Sequence, residues 1–73
     1  MANQWTKTQH LLTARQREIV ALKSEGKTAW EISVILDIAR ITVEQHLTSA
    51  FRKTDTVNSA QLIKLAIMQG WIK

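Results

Sequence analysis

The chain alternates between four runs of helix-period hydrophobicity and short polar breaks. In the first run, Ile19, Val20 and Leu22 turn to one side of a segment covering about residues 13–25. The run opens on "TARQ", a capping box in which the Thr13 hydroxyl can accept the Gln16 amide while the Gln16 side chain reaches back. It closes at Gly26, a residue suited to the left-handed conformation just past a helix end. A second box, "TAWE", opens a helix over about 28–37, with Thr28 and Glu31 as the reciprocal pair. At about 100° per residue, Ala29, Ile32, Ile35 and Leu36 fall on its inward face. Trp30 and Val34 then point the other way, where a soluble domain is expected to be polar.

A turn of about three residues, "DIA", leads into a third helix over about 40–53. Val43, Leu47 and Ala50 line its inner face, with His46 and Phe51 at the edges. The opposite face carries Ile41, Gln45, Thr48 and Arg52, flanked by Glu44 and Ser49. "TDTVN" breaks the pattern before a fourth helix over about 59–69, closed by Gly70. That helix is apolar nearly all round, and only Gln61, Lys64 and Gln69 interrupt it. A helix of this kind is buried on more than one side. Three short neighbours can hardly cover it, so its surplus, placed at Leu65 and Met68, belongs either to the core or to a seam with a second subunit. Residues 1–10 lack any period and read as a flexible N-terminal arm, with Trp5 and His10 the residues able to pack back. The pattern predicts an all-α fold: a compact four-helix bundle over 11–73 that contains a helix-turn-helix.

Composition narrows this further. A chain of 73 residues makes one domain at most. It buries only about 60% of its unfolded surface. Without Cys it has neither a disulfide nor a thiolate metal site to compensate. The formal charge of +4 suits a polyanionic partner. No apolar run approaches the roughly 20 residues that cross a bilayer, and the first ten residues hold no apolar signal core. A cytoplasmic protein with no membrane partner is expected. No His, Asp or Glu cluster has metal spacing, and Ser24, Ser33, Ser49 and Ser59 lack a neighbouring base or glycine elbow. The expectation is therefore no enzyme activity, no metal and no cofactor. His46, set among core residues, reads as a partly buried imidazole rather than a ligand.

Two helices joined by a tight turn, the second polar on its outer face, make a helix-turn-helix. Here particular residues carry more than the pattern. "LTARQRE" at Leu12–Glu18, "EGKT" at Glu25–Thr28, Glu31–Ile32, "TVEQH" at Thr42–His46, Lys53, Gln61 and "GWI" at Gly70–Ile72 resemble the DNA-binding domain of LuxR-type (LuxR/GerE) transcription regulators. The resemblance runs ungapped over 12–72, and "GKTAWEIS" is most similar to the quorum-sensing, acyl-homoserine-lactone branch. It implies base contacts from Glu44, Gln45 and Thr48, and phosphate contacts from Lys27, Thr28, Thr42 and Lys53. It also implies that the fourth helix dimerises on a palindromic operator, with half-sites about one turn, or 10 bp, apart. Small-molecule control would act only through an N-terminal sensing domain outside this chain.

Each implied role has a physical basis. Gln45 can pair with adenine through N6 and N7, and Glu44 can accept from cytosine N4. Thr28 stands at a helix N-terminus, where amides and the dipole favour phosphate. Arg52 and Lys53 bring charge to the backbone. Trp30, in the first turn of the second helix, is expected to pack on sugar and donate its indole N–H to a phosphate, or else to dock with Val34 on another domain or subunit. Four residues depart from the family pattern, among them Thr54, where Leu is usual, and Ser59, where a basic residue is common. Glu44 replaces a basic or amide residue, and Ala39 replaces the Ser that caps the third helix, a loss of about 1 kcal/mol. They keep a rival open: a protein-interaction module that pairs with a full-length regulator or contacts RNA polymerase.

Overall fold

The computed structural model describes residues 11–72, and the arm over residues 1–10 lies outside them. Among the described residues there are four helices and no strand: α1 Ala14–Ser24, α2 Ala29–Leu36, α3 Arg40–Thr54 and α4 Ser59–Met68. Three follow the expected spans to within the capping residues, while α3 runs one residue further, to Thr54. Both capping boxes form. Thr13 Oγ accepts the Gln16 amide at 3.1 Å while Gln16 Oε1 accepts the Thr13 amide at 3.0 Å. The Thr28–Glu31 pair repeats this at 3.1 and 2.8 Å. α4 is capped by Asn58, whose Oδ1 accepts the Gln61 amide at 2.9 Å.

Helix ends divide into two kinds. Gly26 and Gly70 take positive φ just beyond α1 and α4, as their lack of a Cβ allows. α2 and α3 instead end on aspartates, Asp37 (φ 56°) and Asp55 (φ 54°), both left-handed. Short Asx side chains tolerate this region better than most. At Asp37 the chain turns sharply, and the Ile38 amide reaches back to the Ser33 carbonyl at 3.1 Å. That closure brings Ala39 to the start of α3.

The core has two lobes on either side of the α1–α3 pair. Leu12, Val20, Ala50, Leu62, Ala66 and Ile72 form one, against α4. Ile19, Ile32, Val43 and Leu47 form the other, against α2. Ile19 and Val20 are sequence neighbours about 100° apart on α1, so one helix feeds both lobes. Phe51 packs against each. Among the described residues α2 and α4 do not touch one another.

One expected burial and part of one expected exposure differ. Ile35 is 51% exposed rather than inward. Ala29, Ile32 and Leu36 cluster on one arc of α2, and Ile35 lies about 90° from the centre of that arc. The α1 and α3 surfaces reach only that arc. On α4 the exposed apolar residues match the expected pair in Met68 only. Met68 is exposed, Leu65 is only half-buried, and Ile67 is exposed in its place.

Candidate nucleic-acid interface

α3 is anchored from one side only. Val43, Leu47 and Ala50 are buried at i, i+4 and i+7, which fixes the helix against α1, α2 and α4. Its other side is open. Ile41, Glu44, Gln45, Thr48, Ser49 and Arg52 line one shallow depression there. The three base-contact candidates thus share a surface with Arg52. Lys27, Thr28 and Trp30 lie instead where α2 begins, Lys27 half-buried and the other two exposed. Thr42 is half-buried in the first turn of α3, and Lys53 is exposed near its far end.

Glu44 does not stand alone. Its carboxylate lies 3.7 Å from the Arg40 Nε, an i,i+4 pair with both side chains exposed. Such surface pairs contribute about 0.3–0.5 kcal/mol, so the contact offsets the charge of Glu44 without fixing its rotamer. At the start of α3, Ala39 offers no side-chain hydrogen bond, and only its carbonyl serves the Thr42 and Val43 amides, at 3.0 and 3.1 Å.

At the start of α2 the Thr28 amide is already taken by the Glu31 carboxylate. Backbone and side-chain hydrogen bonding with Thr28, and then the charge of Lys27, hold the Glu31 carboxyl below its ordinary pKa. An ionised acid therefore sits beside this helix end and opposes a phosphate. What Thr28 can still give is its hydroxyl proton, since the hydroxyl oxygen accepts the Glu31 amide.

One buried polar group ties the interface to the rest of the fold. Gln16 is 5% exposed. Beyond its capping bond, Gln16 Nε2 donates to Ser49 Oγ at 3.2 Å, and Lys53 Nζ donates to Gln16 Oε1 at 3.0 Å. The Lys53 ammonium keeps two further donors for other acceptors. "TARQ" announces the cap but not these bonds, which join residues 33 and 37 positions apart. Gln16→Leu is expected to destabilise the fold by about 1–3 kcal/mol, because the Thr13 cap bond and the Ser49 and Lys53 contacts are lost together. Urea melts compared with Gln16→Glu check this. The glutamate keeps acceptors for Thr13 and Lys53 and should lose less.

Trp30 and Val34 are exposed at 63% and 61%, and Ile35 joins them on the surface of α2. Among the described residues no group of His, Asp and Glu side chains could hold a metal ion, and no helix is long and apolar enough to cross a membrane.

Residues 10–66 match a family described as bacterial regulatory proteins, luxR family. The chain is similar to the transcriptional activator protein BjaR1 of Bradyrhizobium diazoefficiens, at 48% identity over 56 residues, 77% of this chain and 23% of that protein. It is 44% identical over 66 residues to the transcriptional activator protein LuxR of Aliivibrio fischeri, 90% of this chain and 26% of that one. The HTH-type quorum sensing-dependent transcriptional regulator RpaR of Rhodopseudomonas palustris is 47% identical over 62 residues, 85% of this chain and 26% of that protein. The chain spans about a quarter of the length of these curated relatives.

Proposed function

The chain belongs to the luxR family of bacterial regulatory proteins, and from that premise we propose that it binds double-stranded DNA sequence-specifically in the cytoplasm, as the DNA-binding part of a transcription regulator. Its family and relatives are regulators, not enzymes. The observation that carries the proposal is the asymmetry of α3, buried along Val43, Leu47 and Ala50 and polar along Glu44, Gln45 and Thr48. An α-helix with side chains is about 10–12 Å across and the major groove about 12 Å wide, so such a helix enters it with its outer face on base edges.

In this arrangement Gln45 reads adenine, Glu44 accepts from cytosine, and Thr48 donates or accepts further along the groove. Arg52 and the spare donors of Lys53 meet phosphates at one end of α3. Lys27, Thr42 and the Thr28 hydroxyl meet them at the other. Two copies joined through α4, with Met68 and Ile67 exposed and Leu65 at the margin, place two α3 helices on half-sites about 10 bp apart in a palindromic operator. Any small-molecule signal acts through a separate domain.

Gln45→Ala and Thr48→Ala test the proposal. Both side chains are exposed, so the fold should be untouched. Gln45→Ala should lower affinity for a selected duplex by about 1–3 kcal/mol, roughly 5- to 150-fold, and leave binding to random duplex unchanged. A titration in which both variants match the parent on every duplex sinks the base-reading role of α3.

A second reading rests on α2. Trp30 and Val34, one turn apart on the outer side of α2, are both exposed and apolar, which suits a protein surface, RNA polymerase or a full-length regulator among them, better than it suits phosphate. Trp30 is therefore assigned first to protein docking with Val34, and second to a sugar–phosphate contact.

A further inference from the structure

Ile41 is an anomaly within the polar face of α3. It is 59% exposed. It lines the same depression as Glu44, Gln45 and Thr48, lying at i−3, i−4 and i−7 from them. A single exposed isoleucine on a protein surface ordinarily needs no explanation. This one stands at the N-terminal end of the stripe that the proposed function lays against base edges, and every other residue lining the depression can hydrogen-bond. No core side chain shares that stripe, since the buried residues of α3 are Val43, Leu47 and Ala50.

The major groove offers one apolar feature to such a side chain, the 5-methyl group of thymine. An isoleucine there has no donor or acceptor to offer a base edge, so it leaves unpaired any polar group that it covers. It therefore favours a methyl over the cytosine N4–H or the guanine O6. Resting on the DNA-binding reading above, we propose that Ile41 is a specificity-determining residue that covers a thymine 5-methyl group in the major groove. Its neighbour on the stripe fixes the place. Ile41 and Gln45 are four residues apart, about 6 Å along the helix. That separation spans one to two base steps of about 3.4 Å, so the thymine lies close to the adenine that Gln45 reads.

The probe is a duplex enriched by the 73-residue chain from a randomised pool, with each thymine replaced singly by deoxyuridine. That replacement removes only the methyl group. The parent chain should bind about fourfold more weakly when one particular thymine of either half-site is replaced, the effect of one buried methyl group. Ile41→Ser and Ile41→Ala, at an exposed position, should bind thymine and deoxyuridine equally there. Thr48→Ala should keep the discrimination, which separates loss of the methyl contact from general weakening. If the same penalty persists in Ile41→Ser, or if no replaced thymine costs the parent anything, the assignment is overturned. Failure of the parent chain to enrich any sequence would overturn the DNA reading itself, a result distinct from enrichment without a methyl effect.

Discussion

Raising monovalent salt from about 50 to about 200 mM should weaken the chain's binding to its selected duplex by roughly a thousandfold. The magnitude follows from counterion release. Lys27, Arg52 and Lys53 are the cations assigned to phosphates, Arg40 being offset by Glu44, and two copies in the proposed complex would bring them to about six phosphates. With a slope near −0.9 per phosphate neutralised, about six contacts give a fall of this order over that range. The number also tests the placement of Lys53. Its bond to Gln16 on α1 leaves it two donors, so Lys53→Gln should reduce the slope by about one per copy. Fluorescence anisotropy at four or five salt concentrations supplies the slope. Binding that ignores salt would contradict the phosphate assignments while leaving the fold as described.

Ile19→Ala should come close to unfolding the domain. Ile19 has no solvent exposure and packs with Ile32, Val43 and Leu47. Truncating a fully buried isoleucine costs about 2–5 kcal/mol. A chain of this length is stable by roughly 4–11 kcal/mol, from about 0.05–0.15 kcal/mol per residue. The midpoint of a thermal melt should fall by more than about 10 °C. Leu62→Ala, in the other lobe, should cost about as much, because Leu62 is equally buried. The two lobes share α1 and Phe51, so each variant should melt in a single transition. Loss of α4 alone in Leu62→Ala, with α1 to α3 still folded by circular dichroism, would contradict a shared core.

The local devices of this fold are legible in the sequence because each acts over three or four residues. Thr13 with Gln16 and Thr28 with Glu31 mark helix starts. Gly26 and Gly70 mark ends, and the spacing of Val43, Leu47 and Ala50 marks the buried side of α3. What escaped sequence reasoning depends on what a side chain meets. Ile35 satisfies the period of α2 yet stays exposed, because the width of the neighbouring surface is not written in α2 itself. Ile67 is exposed and Leu65 half-buried for the same reason. The left-handed ends at Asp37 and Asp55 lack the glycine that usually signals them. The longest omission is Gln16, whose bonds to Ser49 and Lys53 join distant stretches of chain. Of the candidate interface, Glu44, Gln45, Thr48 and Arg52 could be placed on one face by period alone. The offset of Glu44 by Arg40 is an i,i+4 relation that the sequence contains, but its weakness gives it no distinctive pattern.

The lack of contact between α2 and α4 has an evolutionary meaning. Each outer helix answers only to the α1–α3 pair, so a substitution on the outer surface of one meets no neighbour on the other. Lineages can therefore recast the α4 surface without renegotiating the Trp30–Val34 side. The reverse holds equally. The shared α1–α3 spine is the part with no such freedom, because a change there is felt in both lobes at once.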